Sequence, residues 1–213
     1  KDGIAIINAD DVFADYWREQ NKERACLSFG LENKADVSCT WQASSRGKLL
    51  LVRTPAGEIS CQFALLGKHN VMNALAAISA AVACDLDLSI IKQGVEAVKP
   101  VAGRLQSKAG IAGSRIIDDT YNANPNSLKA ALLVLGEEPG TRIVVLGDMG
   151  ELGKDSEQLH RQAGEDARQL GAHQLFAIGQ LSRHAVVAFG AGAEHFTDHE
   201  ALSAAVKPLL RKD

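Results

Sequence analysis

The sequence predicts an α/β protein in two parts, a small antiparallel sheet with helices followed by a mainly parallel region of alternating strands and helices. Three observations carry this. Between about residues 36 and 66, β-branched and apolar residues alternate with polar ones, broken by turns at Ser45-Arg46-Gly47-Lys48 and Pro55-Ala56-Gly57-Glu58, as in an antiparallel meander. Beyond residue 103, four apolar runs are each followed by a helical pattern, the signature of right-handed crossovers and a parallel sheet covered on both faces. Between the two textures, Pro100 and Gly103 mark a break, so the expected parts are residues 1–101 and 102–213.

The elements follow in order. Gly3-Ile4-Ala5-Ile6-Ile7-Asn8-Ala9-Asp10-Asp11 reads as a core strand with a polar exit. A chain opening directly on such a strand is expected to be part of a longer protein. After the meander, Gly67-Lys68-His69-Asn70-Val71-Met72-Asn73 leads into an alanine-rich helix to about Cys84, with Asn70 as the expected N-cap. Asp87-Leu88-Ser89 opens a second helix reaching Val98. In the second part, Ser114 to Ile117 precedes a helix from Ser127, and Arg142 to Leu146 precedes a helix over 156–170. Gln174 to Ile178 then precedes a helix from Leu181, and Glu194 to Phe196 precedes a helix over 201–210. Together these predict a Rossmann-like domain, and a further strand is expected after Arg211-Lys212-Asp213.

Composition narrows the function. A formal charge of −3, a pI near 6.1 and scattered Lys and Arg exclude a nucleic-acid footprint. The longest apolar stretch, Ala74 to Cys84, is too short to span a bilayer, so no membrane insertion is expected. Cys26, Cys39, Cys61 and Cys84 lie far apart and read as reduced, mostly buried residues of a cytoplasmic protein. The histidines form no metal-ligand pattern; His160, His173, His184, His195 and His199 read as surface or packing residues.

Four polar segments are candidates for chemistry. The run Asp118-Asp119-Thr120-Tyr121-Asn122-Ala123-Asn124-Pro125-Asn126-Ser127 places carboxylates and carboxamides where a strand gives way to a helix, the binding edge of an open parallel sheet. Helix capping and turn bonding explain any one of these residues equally well. Asn70 and Asn73, one turn apart, could match the donor and acceptor edge of adenine. Arg104, just past the break, could grip a phosphate, or form an ordinary surface ion pair. The loop Gly147-Asp148-Met149-Gly150-Glu151-Leu152-Gly153 ends the second strand, and Asp148 and Glu151 there could meet a substrate ammonium or support a metal-bound ligand. Its glycines are three apart, which is not the dinucleotide fingerprint, and no phosphate-cradling Gly-x-x-x-x-Gly-Lys-Ser/Thr occurs in these residues.

Taken in order, Gly67 to Ala74, Gly103-Arg104, Asp118 to Pro125 and Gly147 to Gly153 resemble the Mur ligase family across essentially the whole chain. The Tyr121-Asn122-Ala123-Asn124-Pro125 form resembles the branch that joins D-alanyl-D-alanine to UDP-N-acetylmuramoyl-tripeptide, which disfavours a sister ligase acting on folate or another muramyl peptide. The resemblance implies an ATP- and Mg2+-dependent enzyme of peptidoglycan precursor synthesis, monomeric and cytoplasmic, working through an acyl phosphate. It implies that residues 1–101 are the later part of the central ATP-binding domain and 102–213 most of the dipeptide-binding domain. The UDP-binding domain, the P-loop, the Mg-binding groups and the final strand would then lie outside this sequence. Carried over residue by residue, Asn70 and Asn73 lie beside adenine, Arg104 near the phosphates and Asp119 on the ribose hydroxyls. Tyr121, Asn122 and Asn124 line the ATP and dipeptide crevice, with Asp148 and Glu151 nearby, and His69 shapes the helix start. No catalytic residue and no metal ligand is assigned within the chain. The competing expectation is a nucleotide- or peptide-binding module without chemistry.

Overall fold

The structure, a computed structural model, describes residues 3–44 and 47–211. Ser45 and Arg46 of the first expected turn, and Lys212 and Asp213, lie outside the described residues. The chain divides into two compact units, Lys1–Pro100 and Val101–Asp213.

The first unit is a five-stranded sheet in the order β1 (Ala5–Asn8), β2 (Cys26–Gly30), β3 (Val37–Ser44), β4 (Gly47–Thr54) and β5 (Gly57–Phe63). The meander expected from the alternation is its antiparallel half, β3-β4-β5. The other half is parallel: β1 pairs with β2 and β2 with β3, and helix α1 (Ala14–Gln20) connects β1 to β2. Sequence reading passed over β2 and α1. Both are short, and α1 is exposed over most of its length, with Tyr16 and Trp17 open to solvent, so neither has a strong apolar period. In β4, Leu50, Val52 and Thr54 are buried while Leu51 between them is exposed, the two-residue period of a sheet covered on one face. Helix α2 (Lys68–Ala83) covers it with Val71, Ala74, Leu75 and Ile78, one stripe at helical spacing, and α3 (Leu88–Ala97) adds Ile91 and Val95. Asp87 caps α3 by accepting from the Ser89 amide at 2.7 Å.

The second unit begins with an antiparallel pair, β6 (Gln106–Ala109) and β7 (Arg115–Asp118), followed by helix α4 (Pro125–Gly136). Three strand-helix units follow: β8 (Ile143–Leu146) with α5 (Ser156–Gln169), β9 (Gln174–Ile178) with α6 (Arg183–Phe189), and β10 (Ala193–Phe196) with α7 (His199–Val206). β8, β9 and β10 form a parallel sheet in the order β10-β9-β8. The first of the four expected alternations is therefore different: β7 pairs antiparallel with β6, a strand too polar to read from sequence, and not with the parallel sheet. Central β9 buries three consecutive residues, Leu175, Phe176 and Ala177, because both its faces are covered. One face packs against α4, α5 and α6 through Leu132, Ala163, Ala167, Ala185 and Phe189; the other packs Phe176 and Phe196 against Leu202 of α7. The last helix ends at Val206, earlier than expected, and a 3-10 turn carries Pro208, whose ring disfavours further α-helix.

Cys39 and Cys61 are buried, and burial pushes each thiol up to about 11; Cys26 and Cys84 are exposed, contrary to the expectation that most cysteines lie inside.

Candidate functional site

In the first unit, helix α2 starts three residues earlier than the sequence suggested. Gly67, at φ +85, is the N-cap, so Asn70 is the third helical residue and not the cap. Its Nδ2 donates back to the Leu66 carbonyl at 2.7 Å, fixing the chain entering the helix. Asn73 donates from Nδ2 to Asn70 Oδ1 at 3.4 Å, so the two carboxamides share one side of the helix, a turn apart, as the spacing implied. Asn73 is exposed, while Asn70 is half-buried with its amide nitrogen committed. Lys68 pairs with Glu32, and the adjacent His69 is exposed.

Glu32 belongs to a loop held from the carboxyl end of β1. Asp10 accepts from the amides of Leu31 at 2.6 Å, Asn33 at 2.7 Å and Glu32 at 3.2 Å. Burial raises the Asp10 pKa, but these three donors and the nearby Lys68 outweigh it and leave the carboxyl below its usual range. Gly30 lies against this carboxylate, where a β-carbon would come 3.0 Å from Oδ1.

In the second unit, three of the expected residues come together. The segments Gly103 to Leu105 and Asp119 to Tyr121 run beside each other, extending the β6-β7 pair. The Tyr121 amide donates to the Gly103 carbonyl at 3.0 Å, and the Leu105 amide donates to Asp119 Oδ1, also at 3.0 Å. Gly103 has φ +70, and a β-carbon there would meet the Tyr121 amide nitrogen at 3.0 Å, so this close approach requires glycine. The exposed Arg104 guanidinium lies 4.2 Å from the centre of the Tyr121 ring, a cation held on an aromatic face. Leu105 is buried with φ +46, a conformation unusual for a non-glycine residue, and the bond from Asp119 holds it there.

Two neighbouring residues, Asp118 and Asn124, are held by local partners. Asp118 pairs with Lys108 and accepts from Thr120 Oγ1 at 2.7 Å; these contacts bring its pKa down to about 2. Asn124 caps α4: its Oδ1 accepts from the Ser127 amide at 2.9 Å while Ser127 Oγ accepts from the Asn124 amide, a reciprocal box with Pro125 in the first turn. Capping therefore accounts for Asn124. Tyr121 and Asn122 are exposed.

The loop after β8 is fastened at two points. Asp148 Oδ1 accepts from the amides of Ser182 at 2.7 Å and Leu181 at 3.0 Å, in the loop after β9. Burial raises this pKa, and the Ser182 and Leu181 amides more than reverse it. Gly179, at φ +122, leaves room for the carboxylate; a β-carbon would sit 2.2 Å from Oδ1. Fully buried His160 on α5 bonds the Met149 amide at 2.9 Å and the Ser156 carbonyl at 2.7 Å. Glu151 is exposed at φ +60. Sequence reading grouped His160 with surface or packing residues and passed over Gly179, because neither lies in a motif. Among the described residues, no three His, Cys, Asp or Glu converge to hold a metal ion, and no helix is long and apolar enough to cross a membrane.

The family model described as Mur ligase, glutamate ligase domain, matches residues 103–213, slightly more than half of the chain. The chain belongs to the Mur ligase family. The Mur ligase middle-domain model matches residues 1–81. Among curated Mur ligases, the UDP-N-acetylmuramoyl-tripeptide--D-alanyl-D-alanine ligase of Escherichia coli is 36% identical over 212 residues, covering 99% of this chain and 47% of the relative. The crystal structure of MurF from Acinetobacter baumannii superposes with a TM-score of 0.85 at 33% identity, covering 97% of this chain and 45% of that one. MurF from Thermotoga maritima, solved in complex with ADP, has the same fold, with a TM-score of 0.82 at 20% identity over 99% of this chain and 48% of that chain. The chain thus spans about half the length of the Mur ligases it matches.

Proposed function

We propose that these residues form the adenosine- and amine-handling part of an ATP-dependent ligase that joins D-alanyl-D-alanine to UDP-N-acetylmuramoyl-tripeptide in peptidoglycan precursor synthesis. In this reading residues 1–101 belong to the central ATP-binding domain and 102–213 to the dipeptide-binding domain, and the enzyme is a cytoplasmic monomer. The observation that carries the reading is the meeting of Arg104, Tyr121 and Asp119, which sets a cation, an aromatic face and a carboxylate on one short stretch of paired backbone.

ATP, when bound, supplies the phosphoryl group that activates the tripeptide's terminal carboxylate as an acyl phosphate, open to attack by the dipeptide's amine. The chain's own residues fit the nucleoside side of that task. Asn70 and Asn73 offer carboxamides to the adenine edge, with Asn70 held in place through Leu66. Asp119 gives one oxygen to Leu105, and its other oxygen accepts from ribose hydroxyls. Arg104, steadied on Tyr121, neutralises phosphate charge. Asn122 and Glu151 are exposed to meet the incoming dipeptide, with Glu151 accepting from its ammonium. Asn124 and Asp148 support the adjoining backbone. Mg2+ would accompany ATP in the complete enzyme and offset phosphate charge.

Phosphate release driven by D-alanyl-D-alanine tests the reading. The 213 residues alone are expected to release none, and the full-length ligase is expected to lose ATP affinity on Asp119→Ala. Rapid turnover by the 213 residues alone, or an Asp119→Ala enzyme with unchanged KM for ATP, would overturn it.

A further inference from the structure

We propose that His160 is a positioning residue that fastens the loop from Gly147 to Gly153 so that Glu151 is presented to the incoming amine. The inference rests on the assignment of that loop to the amine side.

Leaving a ring nitrogen unpaired away from water costs free energy, and His160, which is 0% exposed, has a partner for each of its two. Its Nε2 lies 2.9 Å from the Met149 amide nitrogen, which can only donate, so Nε2 must accept. Nδ1 therefore carries the proton and donates to the Ser156 carbonyl at 2.7 Å. The surroundings thus select one tautomer, and that tautomer ties the first turn of α5 to the middle of the loop.

The attachment is placed to matter. Met149 is anchored by its own side chain, 1% exposed in the core, and the preceding Asp148 is tied to the amides of Leu181 and Ser182. Two residues beyond Met149, Glu151 takes φ +60 with its side chain in solvent. A non-glycine residue stays in that region only when its neighbours over-determine the backbone, and such residues cluster where a ligand is held. His160 is the one side chain of α5 bonded to the loop backbone between the Asp148 attachment and this left-handed residue, among the described residues.

Two substitutions separate positioning from packing. His160→Leu fills the space but cannot accept from Met149, whereas His160→Gln keeps an acceptor on the same side chain. In the 213-residue chain, His160→Leu is expected to speed hydrogen exchange at the Met149 amide by roughly tenfold or more while the Leu175 amide of β9 keeps its protection. In the full-length ligase the same change is expected to raise KM for D-alanyl-D-alanine roughly tenfold, through misplacement of a substrate-facing group, with KM for ATP unchanged. His160→Gln is expected to recover both readouts in large part. An unchanged Met149 exchange rate, equal damage to both KM values, or a Gln variant no better than Leu would overturn the proposal. Glu151→Gln reports on the loop's assignment itself. If it leaves KM for the dipeptide unchanged, the assignment fails and the presentation of Glu151 fails with it. If it raises that KM while His160→Leu does not, only the role of His160 fails.

Discussion

Gly179→Ala puts the coupling between the loops after β8 and β9 to a severe test. A methyl group at residue 179 would lie 2.2 Å from Asp148 Oδ1 and 2.4 Å from its Cγ, so the carboxylate must move. Its Oδ1 holds the amides of Leu181 and Ser182 together, and displacement therefore removes at least one charge-assisted hydrogen bond. An alanine forced to φ +122 contributes about 1–3 kcal/mol of strain. Losing one amide-carboxylate bond adds about 1.5–3 kcal/mol, for a total destabilisation of about 2.5–6 kcal/mol. Gly147→Ala is the matched control, because a β-carbon there meets nothing within 4 Å and φ is not in the left-handed range; it should change stability by no more than about 0.5 kcal/mol. Both tryptophans, Trp17 and Trp41, lie in the first unit, so their fluorescence is blind to the effect. Native-state hydrogen exchange at Leu175 and Ala177 of β9 reads the second unit directly. Combining Gly179→Ala with Asp148→Ala should destabilise less than the sum of the single changes by at least about 1 kcal/mol, since the smaller side chain relieves the collision. A Gly179→Ala effect below about 1 kcal/mol, or strict additivity, would refute the reasoning.

Asn124→Ala removes the cap of α4 and half of the box with Ser127; it should destabilise the second unit by about 1 kcal/mol, read by exchange of the first-turn amides, and no change there would sink the capping assignment. Asp118, Asp148 and Asp10 all have lowered pKa values when folded, so each contributes stability above its unfolded value of about 3.9 that is lost as pH falls through the folded value. Urea unfolding should therefore become easier from pH 5 down to pH 3, and Asp118→Asn, at the residue lowered to about 2, should flatten part of that slope; stability that rises on acidification would contradict the sign. Asp10→Ala frees the amides of Leu31, Glu32 and Asn33, and exchange at those three should accelerate together while Val71 of α2 stays protected; unchanged exchange there would remove Asp10 from its role.

Much of the fold was legible because it rests on short-range signals. The alternation in β4, the apolar stripe of α2 and Asp87 before α3 each act within a few residues, and each produced the expected element. The omitted elements lack such signals: β6 is polar, and α1 exposes most of its residues. At the site, Gly103, Arg104, Asp119 and Tyr121 stood out as residue types, but their mutual contacts depend on a backbone pairing that no local pattern announces. The first turn of α2 was read through Asn70 when glycine at 67 supplied the boundary. Asn124 illustrates the opposite limit, since the sequence allowed both a cap and a crevice residue and geometry accounts for it as a cap. His160 and Gly179 act on partners 11 and 31 residues away along the chain, at Met149 and Asp148, and only a folded backbone reveals them.

Asp10 and Asp148 perform the same act in separate units, each receiving amides from the loop after the next parallel strand across a gap of 21 to 34 residues. Such bonds can form only after a complete strand-helix-strand crossover has closed, when most of the loop-closure entropy has already been spent. They should therefore be largely absent from the folding transition state. Their loss would leave the rate of folding nearly unchanged and hasten unfolding, making these two aspartates the latches on how long each unit stays folded once formed.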